Sequence, residues 1–556
     1  MSERKRAILS LLALALLVGF FGTVYRVNEY FSVIVPDQGG KITEGIAGSP
    51  HFINPILAIA DPDRDMVSLI YAGLLRPDGK GGLTPELAER YELSPDGLSY
   101  TFYIREGARF QDGEKVSADD VIFTIESIKN PIIKSPWRAG WEGVEVEKIN
   151  DRTLRFWLKR PYAPFLENTT LGILPRHLWK DIPPGEMGSS GLNLDPIGAG
   201  PYRISKASRS KEGALTSYTL RPFPKYVLGK PYIRKLVFIF YPSEIELLGA
   251  YENGEVDAIS AISPHNLKKI TRRDGAIKGL DLPRIFGVFF NQNERSIFVD
   301  KSTRQALDMS ADKKQIIREV LGGYANEVST PIPKGSFGAV ELMPRNYNLD
   351  EAKGLLEKNG WKFNQEKKVY EKNEKGKASQ ELAFSISTSN APDLVRTADI
   401  LKSYWEKLGA KVEVKVFEIS DLNQNVIRTR KYDALLFGEV VGRDPDPFAF
   451  WHSSQRNDPG LNIALYTSGT VDKILEEARG LTSRETRAKK YEEFQKEVVE
   501  DSPSVFLYSP AFIYIISSDL MAFETQYVVT SAERFANIFK WHLDTKYVWK
   551  IFHKNN

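Results

Sequence analysis

The 556-residue chain contains no cysteine. That excludes disulfides, thiolate metal sites, a cysteine nucleophile and any tether through a lipid-modified cysteine. An excess of one charge is missing too: 75 basic against 72 acidic side chains leave a formal +3. A nucleic-acid binder would carry a concentrated basic field, so no nucleic-acid partner is expected. Histidine is scarce, and His51, His177, His265, His452, His542 and His553 lie at no metal-ligand spacing; each reads as a surface or packing residue. Walker A, GxSxG and HExxH patterns are also lacking. The chain therefore reads as a non-enzyme that needs no cofactor or metal.

What is present is an ordinary globular composition, 42% hydrophobic and 26% charged, in a chain too long for one core. Two or three domains are expected. At the N-terminus Arg4, Lys5 and Arg6 precede an uncharged run over residues 7–25. Spanning a bilayer takes about 20 apolar residues, whereas a signal-peptide core usually has about 7–15 followed by small residues at the cleavage site. Gly19-Phe-Phe-Gly22 makes a poor cleavage site, so an uncleaved signal anchor is favoured over a removed signal peptide. Basic residues stay cytoplasmic, which places the body outside the membrane. Residues 26–40 read as a tether.

The most informative stretch is 71–131. Tyr100, Phe102 and Ile104 alternate with more polar neighbours, the pattern of a half-buried strand. Asp96-Gly97 and Glu106-Gly107 bound it as turns. Ser117-Ala-Asp-Asp120 starts a helix as a capping box, with carboxylates at its positive end, and Val121, Ile122, Ile125 and Ile128 form its apolar stripe.

Tyr71-Ala-Gly-Leu-Leu75, Leu83-Thr-Pro-Glu-Leu-Ala-Glu89, this strand, and Phe110-Gln-Asp-Gly-Glu-Lys-Val-Ser-Ala-Asp-Asp-Val121 together resemble the signature region of peptide/oligopeptide-type extracytoplasmic solute-binding proteins of ABC importers. The pieces occur in the family's order, and the resemblance runs from about residue 42 to the C-terminus. It implies a mixed α/β fold, two-lobed and periplasmic-binding-protein-like, with an additional domain. Lobe I would comprise 41–72, 196–285 and 511–556, the additional domain 73–195 and the second lobe 286–510. Crossovers near Phe286 and Ser509 would act as the hinge. The implied partners are a peptide or oligopeptide ligand, the permease subunits of an ABC importer, and the membrane through the N-terminal helix; a monomer is expected. An oligosaccharide or metal-complex ligand, a non-transport sensor, and a hydrolase on a borrowed scaffold are the rivals.

Several local readings stand beside the resemblance. Asp61, Asp63 and Asp65 open like a calcium loop, but Met66 and Ala72 occupy positions that need glycine and glutamate; they read as carboxylates at a helix N-terminus. The glycines of Pro196-Ile-Gly-Ala-Gly-Pro201 read as a structural turn. Beyond Phe286 the chain alternates helices and strands: helices at 300–309, 312–321, 393–408 and 421–428, strands at 382–387, 411–417 and 432–437. Residues 366–377 read as a solvated hairpin, and 505–508 and 512–516 as two late strands.

The candidate site follows a strand end, where open α/β sheets bind ligands. Residues 438–454 supply charges, stiffening prolines (Pro445, Pro447) and the aromatics Phe448, Phe450 and Trp451; an ordinary rigid loop is the alternative. In peptide-binding relatives an aspartate just past the glycine pairs with the ligand's amino group. Here Gly442 and Arg443 hold that neighbourhood and Asp444 is the nearest acid. Candidate ligand-binding residues are Gly48, Ser49, Asn291, Glu439, Val440, Arg443, Asp444, Trp451 and Tyr508. Arg443 is expected to hold an anionic ligand group, or to pair with Asp444 or Glu439.

Overall fold

A computed structural model describes residues 14–552, apart from 15, 22, 24, 27, 29, 344 and 374–378. Among the described residues, twelve strands form one continuous sheet. On one side of it, Ala383–Ser389 lies parallel to Lys411–Phe417 and to Ala434–Val440. On the other, Gly39–Ala47 lies parallel to Ile233–Tyr241 and Ala258–Ser260, extended by Leu215–Pro222 and Tyr202–Arg209.

One strand, Ser504–Ser517, joins the two sides. Its first part pairs with Arg284–Phe290 and its last part with Gly275–Asp281. This corrects the expectation of separate strands at 505–508 and 512–516. Pro510 has no N–H to donate, which reads as a break in sequence. In the fold it falls where the strand exchanges partners, beside Ala325, so the strand continues through it. The helix expected over 421–428 is also corrected: a short turn, Ile419–Asp421, runs into a π-helical segment, Leu422–Ile427, closed by Arg428 N–H to Asn423 C=O.

A separate four-stranded antiparallel sheet carries the signature stretch, in the order Ala88–Leu93, Ser99–Ile104, Thr153–Trp157, Glu145–Asn150. Tyr100 pairs with Phe156 and Phe102 with Leu154, and all four are buried. The alternation of aromatics does put one face into a core, each such side chain contributing about 1.5–3 kcal/mol, but the expected half-burial is corrected, because Ser99 and Thr101 of the other face are buried as well. Helix Ala118–Lys129 begins on a capping box in which Asp120 accepts from the Ser117 N–H at 2.8 Å. Val121, Ile125 and Ile128 are buried in the same cluster as that sheet and the Gly39–Ala47 strand. A second pair of clusters fills the other side of the large sheet.

Two close approaches seat the helix Asp61–Ile70. Gly198 and Gly200 pass so near its end that a Cβ on Gly198 would sit 2.2 Å from the Ile70 oxygen. The Gln111 amide then donates to the carbonyls of Ile70, Gly200 and Tyr202. The glycine turn is structural, as read, and Asp61 and Asp63 occupy the helix's first turn.

Part of the expected tether is a strand: Ser32–Asp37 pairs antiparallel with Asp544–Trp549. Among the described residues no helix is long and apolar enough to cross a membrane. The expected anchor over 7–25 falls largely on residues 7–13, 15, 22 and 24, outside those described. Residues 374–378 of the expected hairpin lie outside them too; the strands Trp361–Asn364 and Val369–Lys372 pair beside them.

Candidate functional site

A cavity of about 480 Å³ opens where four distant parts of the chain meet. Helix Asp61–Ile70 and the strand after it supply Arg64, Tyr71 and Arg76. The four-stranded region supplies Trp137, Trp141 and Glu167, and residues 529–539 and 442–444 complete the wall. Trp141 is fixed from behind by Phe156 and Phe165, with ring centroids 5.6 and 5.7 Å away. Tyr71 is held by Gly172 and Gly198, whose added Cβ atoms would approach it to 2.6 and 2.9 Å.

The loop after strand Ala434–Val440 reaches this cavity. Gly442 turns at φ +85°, a left-handed geometry that favours glycine. Its carbonyl accepts from Ser336 at 2.9 Å, the Arg443 carbonyl accepts from the Phe337 N–H at 2.8 Å, and the Pro445 carbonyl accepts from Tyr491 at 2.8 Å. With its backbone so fixed, the loop aims Arg443 across the gap. Its guanidinium donates to Glu167 of the four-stranded region at 2.5 Å and to Glu533 of the C-terminal segment at 2.6 Å. Arg443 is 4% exposed, so one cation ties three walls together.

The electrostatics follow from burial. Glu167 is pushed up to about 7 by desolvation, which outweighs the opposing pull of Arg443. Desolvation works against the Arg443 charge, but Glu533 and Glu167 overcome it and hold the guanidinium above its ordinary range. Asp444 is raised by burial against the pull of Arg487, to which it is paired at 2.6 Å. Glu86, buried in the cavity wall, is pushed up to about 7 by desolvation while accepting from the Tyr226 hydroxyl at 2.5 Å.

Of the nine residues singled out from sequence, Arg443 and Asp444 line the cavity. The expected pairing of Arg443 with Asp444 or Glu439 is corrected: it pairs with Glu167 and Glu533, acids far away in the chain. Asn291 is fully buried, donating to the Arg430 carbonyl and accepting from two backbone N–H groups. Trp451 is packed among Phe289, Tyr466, Phe494 and Phe506. Tyr508 stacks on Phe286 at 5.4 Å and bonds Thr397. Glu439 is 4% exposed, its Oε2 without a partner among the described residues, and pushed up to about 8 by desolvation. Val440 is exposed, and Gly48 and Ser49 are half-buried after the Gly39–Ala47 strand. Sequence reading missed Arg64, Tyr71, Trp137, Trp141 and Glu533. The two tryptophans four residues apart in a proline- and glycine-bearing segment were the one local signal available.

Residues 82–461 match the family model described as bacterial extracellular solute-binding proteins, family 5 Middle. The chain belongs to this family. It is similar to the oligopeptide-binding protein AppA of Bacillus subtilis, 27% identical over 486 residues, which cover 85% of this chain and 87% of AppA. The structure of AppA in complex with a nonapeptide superposes with a TM-score of 0.65 at 26% identity, over 92% of this chain and all of that one. NikZ from Campylobacter jejuni in complex with Ni(L-His) matches with a TM-score of 0.67 at 27% identity, over 90% and 99%. The fold is thus the mixed α/β fold of these binding proteins.

Proposed function

We propose that this family 5 protein is the solute-binding component of an ABC importer, and that it takes peptides into the cavity between its lobes. The carrying observation is Arg443, one buried cation ion-paired to acids on two other walls of a single cavity. A chamber whose walls belong to two different cores, and which is latched across them, is what a binding protein that closes on its ligand requires. Peptide is the favoured class because the similar AppA is an oligopeptide-binding protein, seen with a nonapeptide. The lobes would be 41–72 with 196–285 and 511–556, and 286–510, with 73–195 added. The paired crossings near Phe286 and Ser509 would serve as the hinge.

We also place the body outside the cytoplasm, held by the apolar run 7–25 behind Arg4, Lys5 and Arg6. Described residues of that run, such as Leu16, Val18, Phe20 and Phe21, are exposed as a membrane segment's would be. Recovery of a soluble protein beginning near residue 27 would remove the anchor. The activity is binding, with no catalysis assigned.

Mass spectrometry of ligand released from the purified protein tests the main reading. Peptides are expected, and returning them at a hundredfold excess over Kd should stabilise the fold by about 2.7 kcal/mol. Release of a metal complex or sugar in their place overturns peptide as the ligand class.

A further inference from the structure

The cavity wall carries hydrogen-bond donors that the protein itself does not use. Arg64 Nε, Arg76 Nε, Arg443 Nε and the Tyr71 hydroxyl are all buried without a partner among the described residues. All four belong to residues that line the cavity. The acids of the same wall are mostly committed. Glu86 accepts from Tyr226 and from the Gly73 N–H, Glu167 and Glu533 share Arg443, and Asp444 holds Arg487 with one oxygen, leaving Oδ1 unpartnered. Among the fully buried atoms of this wall, four unpaired groups are donors and one is an acceptor, while the second oxygens of Glu167 and Glu533 make no hydrogen bond among the described residues either; a buried donor left unpaired is costly.

Arg64 is the freest of these cations. It has no acidic partner within 4.0 Å among the described residues, and its guanidinium lies 6.0 Å from the Trp137 ring. The aspartates flanking it at 63 and 65 are engaged elsewhere, by the His51 and Phe52 N–H groups and by Arg534. Tyr71, 3% exposed, has its ring clamped by two glycines, so its hydroxyl is held in place.

We infer that the cavity receives a carboxylate, bound by the Arg64 guanidinium and the Tyr71 hydroxyl with Trp137 alongside, so that the protein reads an acidic group of its ligand. The planar guanidinium fork fits a carboxylate with two parallel hydrogen bonds. A monoanion suits the site better than a phosphate dianion, because Glu86, Glu167, Glu533 and Asp444 share the wall and repel a second charge. The inference rests on the peptide-binding reading and deepens it. The acid can be a peptide's C-terminus or an acidic side chain, and the chemistry at Arg64 is the same for both.

Three random tetrapeptide libraries separate these cases: free C-terminal acids lacking Asp and Glu, the corresponding amides, and amides containing Glu. Each is equilibrated with the purified protein and the retained peptides are read by mass spectrometry. Wild type should retain one or both carboxylate-bearing libraries about ten- to hundredfold over the carboxylate-free amides; the library preferred tells terminus from side chain. Arg64→Met should abolish that preference while leaving the unliganded melting temperature unchanged. Tyr71→Phe, which keeps the packed ring, should lower it several-fold. Equal retention of all three libraries by wild type overturns the carboxylate and leaves peptide binding intact. Retention of none, with calorimetric binding of succinate or indole-3-acetate, upholds the carboxylate and overturns the peptide. Binding of neither overturns both.

Discussion

Arg534 and Arg443 each hold two carboxylates, the first inside one core and the second across the gap between two cores, from the loop beside one to two acids carried by the other. Arg534 donates to Glu44 at 2.7 Å and to Asp65 at 2.6 Å, and none of the three side chains is more than 2% exposed. Arg443 binds Glu167 and Glu533 at similar distances, yet those acids are 29% and 16% exposed. Glu44, Asp65 and Arg534 lie on elements of the same cluster, a strand, a helix and the segment packed on it. The Arg443 partners come from the four-stranded region and the C-terminal segment, 276 and 90 residues away. Equal stoichiometry thus serves two ends. A charge cluster within a core fixes the fold, whereas one that bridges walls with residual water access can be broken and remade without unfolding either side.

The largest effect should come from Arg534→Met. It strands Glu44 and Asp65, both already raised by desolvation against the pull of Arg534, in a site closed to water. Losing one partner of a buried pair typically costs about 3–5 kcal/mol, and urea unfolding should show a loss of that order. A midpoint unchanged from wild type would mean that the cluster contributes little to the fold.

Arg443→Met should behave differently. Opening lets Glu167 and Glu533 reach water, so the unfolding midpoint should move by less than about 1 kcal/mol, near the range of exposed pairs. The unliganded protein should expand in small-angle scattering, and ligand should bind more weakly by about ten- to hundredfold, the worth of a charge-assisted contact. A compact variant with a large loss of stability would place Arg443 in the same class as Arg534.

This contrast also marks what could be read from the sequence. Strand Ser99–Ile104 and the Ser117 capping box were legible because their signals are local: a period of two, and a cap three residues from its acid. The glycine turn at 198–200 was legible as a turn, though its partner, the end of helix Asp61–Ile70, was not. The cavity was half legible. The strand-end rule pointed to Arg443 and Asp444, but nothing near them names Glu167 or Glu533. Trp451, expected as part of an aromatic wall, and the candidate binding residue Tyr508 are packed in the core, since a tryptophan that fills a gap between Phe289 and Phe494 has the same sequence appearance as one that faces a ligand. Arg64 sits in, and Tyr71 just past, a helix whose three aspartates dominate any sequence reading, and only the packed fold shows which of those charges are already committed.

The smallest expected effect is the most diagnostic of the two clusters, and it concerns proton uptake at Glu167. In the structure Glu167 sits at about 7, raised by desolvation and opposed by Arg443, with Glu533 and Asp444 also facing it; if the proposed hinge opens, a solvated glutamate titrates near about 4.3. The closed form therefore binds the extra proton between those values. By linkage, closure is favoured at the acid end of this window and loses that advantage as pH rises through 7. With Glu167 partly accessible to water the swing should be modest, about 1 kcal/mol. Peptide affinity in wild type should thus weaken a few-fold from pH 5 to pH 8, with calorimetry detecting proton uptake on binding near pH 6. Glu167→Gln should flatten the profile and remove the uptake. Global stability of Glu167→Gln should change little, because the acid that titrates is the one on the bridging cluster. An unaltered pH profile in Glu167→Gln would show that the titrating group lies elsewhere, with buried Glu86 the next to replace.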